Sequence, residues 1–309
     1  MFGERVQTTR LQLTLQPAAS CLLGPALWAP LLFAIFFQGI LPLEGAEPQP
    51  TSPLHIERNL LVREIDGQKL EADLYRPAGE TVCPLVMMVH GGAWSAGDKS
   101  NVERHARQLA ENGFAAVAIQ YRLAPQHIYP AQLDDCRFAL RWAAQHATAW
   151  RADPQRLGLW GYSAGAQLVA MLACQPLPGE PTISACVAGG LPSDFTHIPL
   201  DNQMLSQVMG GSRREQPELY RAASPMEFAS RDTCPIFLFH GSSDLIVPYS
   251  SSRRFYERLR ELSVESELLT VQGKGHLLTF IDRSAAEKTV AFLKSHLLEQ
   301  TAATDRSGE

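Results

Sequence analysis

The sequence has no C-x-x-C pair and no histidine at zinc-ligand spacing from any of its six cysteines, so it encodes no metal finger and no dithiol redox motif. Cys21, Cys83, Cys136, Cys174, Cys186 and Cys234 are scattered, without the framework of a disulfide scaffold. Removal of the N-terminal segment would leave five, an odd number, and they read as core thiols that pack as small hydrophobes. Blocks of like charge are also missing. With 27 basic and 32 acidic residues and a formal net charge of −5, there is no electrostatic footprint for nucleic acid. Internal repeats and low-complexity blocks are absent, so a single domain suffices. What is present is an ordinary apolar share, 45% of 309 residues, enough for a sizeable core.

Charge is lacking altogether from Leu11 to Leu43, after Arg5 and Arg10. That is the arrangement of an export signal, with Leu31 to Phe37 as the apolar stretch and Gly45 and Ala46 as small residues near a cleavage point, although Glu44 is unfavourable there. The alternative is a retained anchor over residues 22–43, about the ~20 residues of a bilayer span, which Pro25, Pro30 and Pro42 weaken. The expected organisation is therefore a signal peptide or membrane anchor at 1–46, a Pro-rich linker at 47–53, one folded domain at 54–298 and a polar tail at 299–309. The expected location is exported, periplasmic or secreted, or else membrane-anchored.

Within 54–298, short apolar runs alternate with longer amphipathic ones, the pattern of βαβ units and a mostly parallel sheet. The runs LLVREI and KLEADLY flank Asp66-Gly67 and predict an antiparallel hairpin at one edge. Residues 84–90, 114–121, 156–163, 183–189, 235–241 and 266–271 predict strands, the first of them apolar at consecutive positions as in a strand covered on both faces. Ser100 with Glu103 fits a capping box for a helix that Gly113 stops. Further helices are expected from Pro130 and near 164–174, 250–262 and 284–297.

Gly161-Tyr162-Ser163-Ala164-Gly165 follows one of these strands directly and opens a helix, the setting in which G-x-S-x-G places a nucleophile. A serine hydroxyl needs a base, and the base needs an acceptor on its other nitrogen. Asp244 and His276 follow later predicted strands in the order Ser, Asp, His, and supply those roles; Asp194 is the rival acid, otherwise a turn or pocket-rim residue. Backbone donors for an oxyanion are expected from Gly92, Ala93 and Ala164, with Gly91 permitting the loop conformation. His90 is read as a loop brace and His240 as a structural strand-end histidine. Trp94 and Tyr162 are candidate pocket walls, with ordinary packing an equal alternative.

The segments HGGAW, SAGDKS, YRLAPQHIYPAQLDDCRFALRWAAQHA, GYSAGAQLVAML, HGSSDLIVPYSSSRRFYERLR and GKGH occur in that order. Over residues 58–297 they resemble the feruloyl-esterase-like (BD-FAE) and hormone-sensitive-lipase-like branch of the α/β hydrolases. The resemblance implies an α/β-hydrolase fold, a nucleophile at Ser163, an acid at Asp244, a base at His276 and an oxyanion loop at His90 to Trp94. Two departures, Ala93 in place of the third glycine of HGGG and GYSAGA in place of GDSAGG, favour the feruloyl-esterase-like or arylformamidase-like side.

The expected activity is hydrolysis of short-chain or aryl carboxylic esters, small molecules, through an acyl-enzyme, and this chemistry requires no cofactor or metal. Amide hydrolysis on the same triad, arylformamidase-like or peptidase, is the runner-up, and a non-catalytic binding relative is a third reading. Residues 190–234 are long for a crossover and could cover the pocket. Leu200, Met204, Leu205, Val208 and Met209 would then form a short helix facing it, or belong to the core. The sequence does not fix the oligomeric state.

Overall fold

The computed structural model describes residues 53–298. The expected signal or anchor, nearly all of the linker and the tail lie outside them. Among the described residues no helix is long and apolar enough to cross a membrane.

β1 (Leu54–Ile65) and β2 (Gln68–Pro77) form the antiparallel edge hairpin, joined by Asp66 and Gly67. Both turn residues have positive φ, as a two-residue turn matched to strand twist requires. Two register shifts in β1, between Glu57 and Leu60 and between Leu61 and Arg63, break the simple alternation of buried and exposed positions.

The chain continues through β3 (Cys83–Val89), α1 (Glu103–Glu111), β4 (Ala115–Ile119), α2 (Ala131–His146), β5 (Ala152–Tyr162), α3 (Ala164–Cys174) and β6 (Ala185–Gly189). Three short helices follow, α4 (Gln203–Met209), α5 (Pro217–Ala222) and α6 (Pro225–Phe228). The remaining elements are β7 (Ile236–Gly241), α7 (Tyr249–Glu261), β8 (Ser266–Val271), α8 (His276–Phe280) and α9 (Arg283–Leu297). The sheet order is β1-β2-β4-β3-β5-β6-β7-β8, parallel from β4 onward.

Period-two alternation builds two cores from one strand. In β3, Leu85, Met87 and Val89 face the helices α2, α3 and α7, where Leu133, Leu168 and Phe255 pack. Val86 and Met88 face α1 and α9, with Leu109, Phe292 and Leu293. α3 is buried at every position, so its apolar residues run all around it rather than in a stripe.

The predicted capping box sits two residues too late. The cap is Asp98, at the start of the 3-10 turn Lys99–Val102 that leads into α1; its carboxylate accepts from the Ser100 amide at 2.8 Å, while the Asn101 side chain accepts from the Asp98 amide at 2.7 Å. Glu103 is instead engaged by Arg58 and Arg107, each at 2.8 Å, and two guanidinium partners hold a carboxylate more strongly than one amide.

The order in which the chain adds strands reverses at β3, since β4 lies on one side of it and β5 on the other. Crevices form where successive crossovers diverge, beyond the carboxyl ends of such strands. The loops after β3, β5, β7 and β8 meet at that end.

Candidate active site

Ser163 stands between β5 and α3 with φ 55° and ψ −118°, a conformation that costs a non-glycine residue on the order of 1–3 kcal/mol. The neighbours hold it there. A Cβ at Gly161 would lie 2.3 Å from the Gly165 carbonyl oxygen, and one at Gly165 would lie 2.1 Å from the Val89 carbonyl oxygen. Only a glycine at each place lets strand and helix close on the serine. Its amide donates to Gly189 at 2.8 Å, fixing the turn to the end of β6.

Asp244 and His276 come together across the loops after β7 and β8. His276 Nδ1 donates to Asp244 Oδ2 at 2.6 Å, and both residues are buried. Asp244 Oδ1 accepts from the amides of Ile246 and Val247, each at 2.9 Å. Burial by itself would raise the Asp244 pKa; hydrogen bonds from His240, His276 and the Val247 amide outweigh it and hold the carboxyl well below the usual carboxylate range.

His240 is the residue whose part the sequence understated. It is fully buried, with Nε2 2.9 Å from the Val247 carbonyl and 3.2 Å from Asp244 Oδ2. A carbonyl only accepts, so Nε2 carries the hydrogen, and Nδ1 accepts a hydrogen bond from the Ser252 hydroxyl at 2.7 Å. The carboxylate oxygen that orients His276 is thus steadied by a second imidazole.

The second ring nitrogen of His276, Nε2, is buried and has no hydrogen-bond partner among the described residues. His276 Cε1 lies 2.9 Å from where a Cβ on Gly190 would sit, one residue beyond the carbonyl that holds Ser163. The ring centroids of His276 and Tyr162, the residue before the serine, are 5.0 Å apart. A serine–histidine hydrogen bond is often loose before substrate binds.

The loop after β3 turns through three consecutive positive φ values, Gly92 at 120°, Ala93 at 52° and Trp94 at 57°. The Gly92 carbonyl accepts from Ser95 and Ala96, which folds the loop back on itself. Among the described residues no acceptor takes the amides of Gly92, Ala93 or Ala164. The conformational role given to Gly91 belongs to Gly92; Gly91 instead leaves room for the serine turn, because a Cβ there would lie 2.9 Å from the Tyr162 carbonyl oxygen and 3.2 Å from the Cβ of Ser163. His90 donates from Nδ1 to the Gly91 carbonyl at 2.7 Å and stacks on Tyr121 with centroids 4.3 Å apart. Its complete burial pushes its pKa down to about 4.

A cavity of about 1070 Å³ opens over Ser163, Gly92 and Ala93. Trp94 lines it, with its indole N–H donating to Gln167 at 3.0 Å and its ring edge-on to Phe195 at 5.7 Å. Tyr162 does not line it. That ring is buried beneath the site, and its hydroxyl donates to the His276 carbonyl at 2.5 Å. Asp194 is on the cavity wall, but its partners are Thr196, His197 at 2.8 Å and Arg254 at 3.7 Å, not His276.

The 190–234 segment covers one side of the cavity. Phe195, Ile198, Met204 and Leu205 line it. Of the five residues expected on one short helix, Leu200 precedes α4; Leu205, Val208 and Met209 are buried, whereas Leu200 and Met204 are exposed. Ser193 is fastened to Ser251 of α7 by three hydrogen bonds, 2.8, 2.9 and 3.1 Å.

A mostly parallel sheet whose strand order reverses at its centre, with a serine turn after β5 and an Asp–His pair on the loops after β7 and β8, defines an α/β-hydrolase. The chain belongs to the BD-FAE family, whose model matches residues 72–259. It is 30% identical over 246 residues to the probable carboxylic ester hydrolase LipM of Mycobacterium tuberculosis, covering 73% of this chain and 56% of that protein. It is likewise 30% identical over 244 residues to the isoprenylcysteine alpha-carbonyl methylesterase ICME of Arabidopsis thaliana, covering 70% and 56%. The chain thus spans little more than half the length of these curated relatives. A truncated carbohydrate esterase from gut microbiota superposes with a TM-score of 0.71 at 22% identity, over 81% of this chain and 98% of that one. Esterase 2 of Thermogutta terrifontis, in its butyrate- and propionate-bound forms, superposes with a TM-score of 0.66 at 23% and 22% identity, over 82% of this chain and 95% and 96% of the other. These two likenesses show the fold.

Proposed function

We propose that the chain is a serine carboxylesterase acting on short-chain or aryl esters. Ser163 Oγ attacks the acyl carbon while His276 Nε2 takes its proton. Asp244 holds the ring in the tautomer with hydrogen on Nδ1 and balances the charge that forms. The developing oxyanion is held by the amides of Gly92, Ala93 and Ala164. His276 then returns the proton to the alcohol oxygen, the C–O bond breaks, and water, activated by the same histidine, releases the acid.

The observation that carries this reading is the 2.6 Å Asp244–His276 pair beside a strained serine whose neighbouring amides are unengaged. The names of the LipM and ICME relatives support ester rather than amide hydrolysis. The test is a rapid-mix assay with p-nitrophenyl butyrate. A burst of p-nitrophenol equal to the enzyme concentration, lost in Ser163→Ala, is expected; steady release without a burst and unaffected by that substitution contradicts the mechanism. The uncharged run from Leu11 to Leu43 supports export of this enzyme, which N-terminal sequencing of the mature protein tests.

A further inference from the structure

The proton leaving His276 goes to the alcohol oxygen, so the alcohol lies on the His276 side of Ser163, while the carbonyl oxygen faces the amides of Gly92, Ala93 and Ala164. On the His276 side the loops after β7 and β8 enclose a second hollow, a shallow groove of about 270 Å³. It is bounded by His276 and by Leu245, Ile246, Leu277 and Leu278. Ile246 and Leu277 also line the main cavity, so the two spaces share those walls.

Scattered exposed leucines are common on protein surfaces, but a group of them beside one histidine is not accounted for by the fold. Leu245 is 96% exposed, Leu278 57% and Ile246 50%. None of the groove's residues other than His276 can carry charge, and Ser243 is its only hydroxyl. A polyol placed there would lose water and find few partners in exchange, whereas an alkyl or aryl group would lose nothing and cover apolar surface.

We propose that this groove is the leaving-group subsite and that it selects esters of apolar alcohols, alkyl or aryl, over esters of polyols. The inference rests on the esterase reading above and adds to it the class of alcohol. Leu245 follows Asp244 and Leu277 follows His276 in the chain, so the groove is built from the same two loops as the Asp244–His276 pair.

The test holds the acyl group constant and varies the alcohol, with kcat/KM measured by pH-stat for methyl, n-hexyl and glyceryl butyrate. The n-hexyl ester is expected to exceed both others by about tenfold, from partial cover of its methylenes. In the double variant Leu245→Ser, Leu278→Ser, both sites being exposed enough for the fold to tolerate the change, the hexyl-to-methyl ratio is expected to fall about tenfold. Turnover of all three esters without a hexyl preference, or a ratio unchanged in the variant, overturns the subsite. Absence of turnover on every ester, together with absence of fluorophosphonate labelling at Ser163, overturns the esterase reading and the subsite with it.

Discussion

Tyr162, immediately before Ser163, donates its hydroxyl to the backbone carbonyl of His276 at 2.5 Å, so one residue of the serine turn is tied directly to the loop that carries His276. The ring lies between that loop and Phe239 and Phe280, at centroid separations of 5.8 and 4.9 Å. Removing the hydroxyl costs the His276 carbonyl one of its hydrogen bonds, about 0.5–1.5 kcal/mol. Tyr162→Phe is therefore expected to lower kcat by about tenfold with little change in KM, since misplacement of the base affects the transition state more than binding. Steady-state kinetics beside a thermal melt separates this from simple unfolding; an unaltered kcat contradicts it.

His240 is expected to act through Asp244 without touching substrate. His240→Phe removes the N–H that steadies the carboxylate and should reduce kcat/KM by about 10–100-fold, the scale found for groups that orient metal-ligating side chains. His240→Gln keeps an N–H at comparable reach and should recover part of the loss. A Phe variant as active as the parent, with the same melting temperature, contradicts the assignment.

Two buried histidines make the protein sensitive to mild acid. His90 and His105 are fully buried, and burial lowers each to about 4 from the ordinary 6.5. Their neutral form is favoured when folded, so the unfolded chain binds protons first as pH falls. The stability each contributes is complete above pH 6.5 and is lost between 6.5 and 4, up to about 3 kcal/mol per residue. Asp244 has the opposite kind of group but the same sign: a depressed carboxyl contributes stability above its unfolded value, about pH 4, and loses it only below. The urea midpoint is expected to drop between pH 7 and 4.5, and the drop should shrink in His105→Phe, where the ring stacked on Trp160 no longer titrates. A midpoint independent of pH over that range contradicts this.

Acyl length follows from the cavity wall. Apolar contacts from Phe195, Ile198 and Leu205 share it with the polar group Asp194, His197 and Arg254. A long alkyl chain would have to cover those charges, which is costly. Hydrolysis of p-nitrophenyl butyrate is expected to exceed that of the laurate, and a preference for chains above about ten carbons contradicts this reading.

The sheet was legible because the central parallel strands β3, β4 and β6 are continuous apolar runs and key turns are marked by glycine, as at Asp66-Gly67 and Gly161-Tyr162-Ser163. Ser163, Asp244 and His276 could be proposed together because loop position and chain order constrain them jointly. Other features depend on distance rather than on local pattern. Nothing in HGSSD shows that His240 reaches back to Asp244, four residues on, or that Tyr162 turns under the site toward a carbonyl 114 residues away. The cap at Asp98 was missed because Glu103 fits a capping box by spacing, while its side chain goes to Arg58, 45 residues earlier. The leucine groove was also hidden, since Leu245 and Leu278 become neighbours only when the loops after β7 and β8 meet.

The central claim is that Ser163 is an activated nucleophile. Intact-protein mass spectrometry after treatment with a fluorophosphonate measures it most directly, because the reagent bonds to a serine only when a base and an oxyanion site act on it. One adduct per chain, located at Ser163 by peptide mapping and abolished by Ser163→Ala, is the expected result. No adduct, or an adduct that survives Ser163→Ala, contradicts the account.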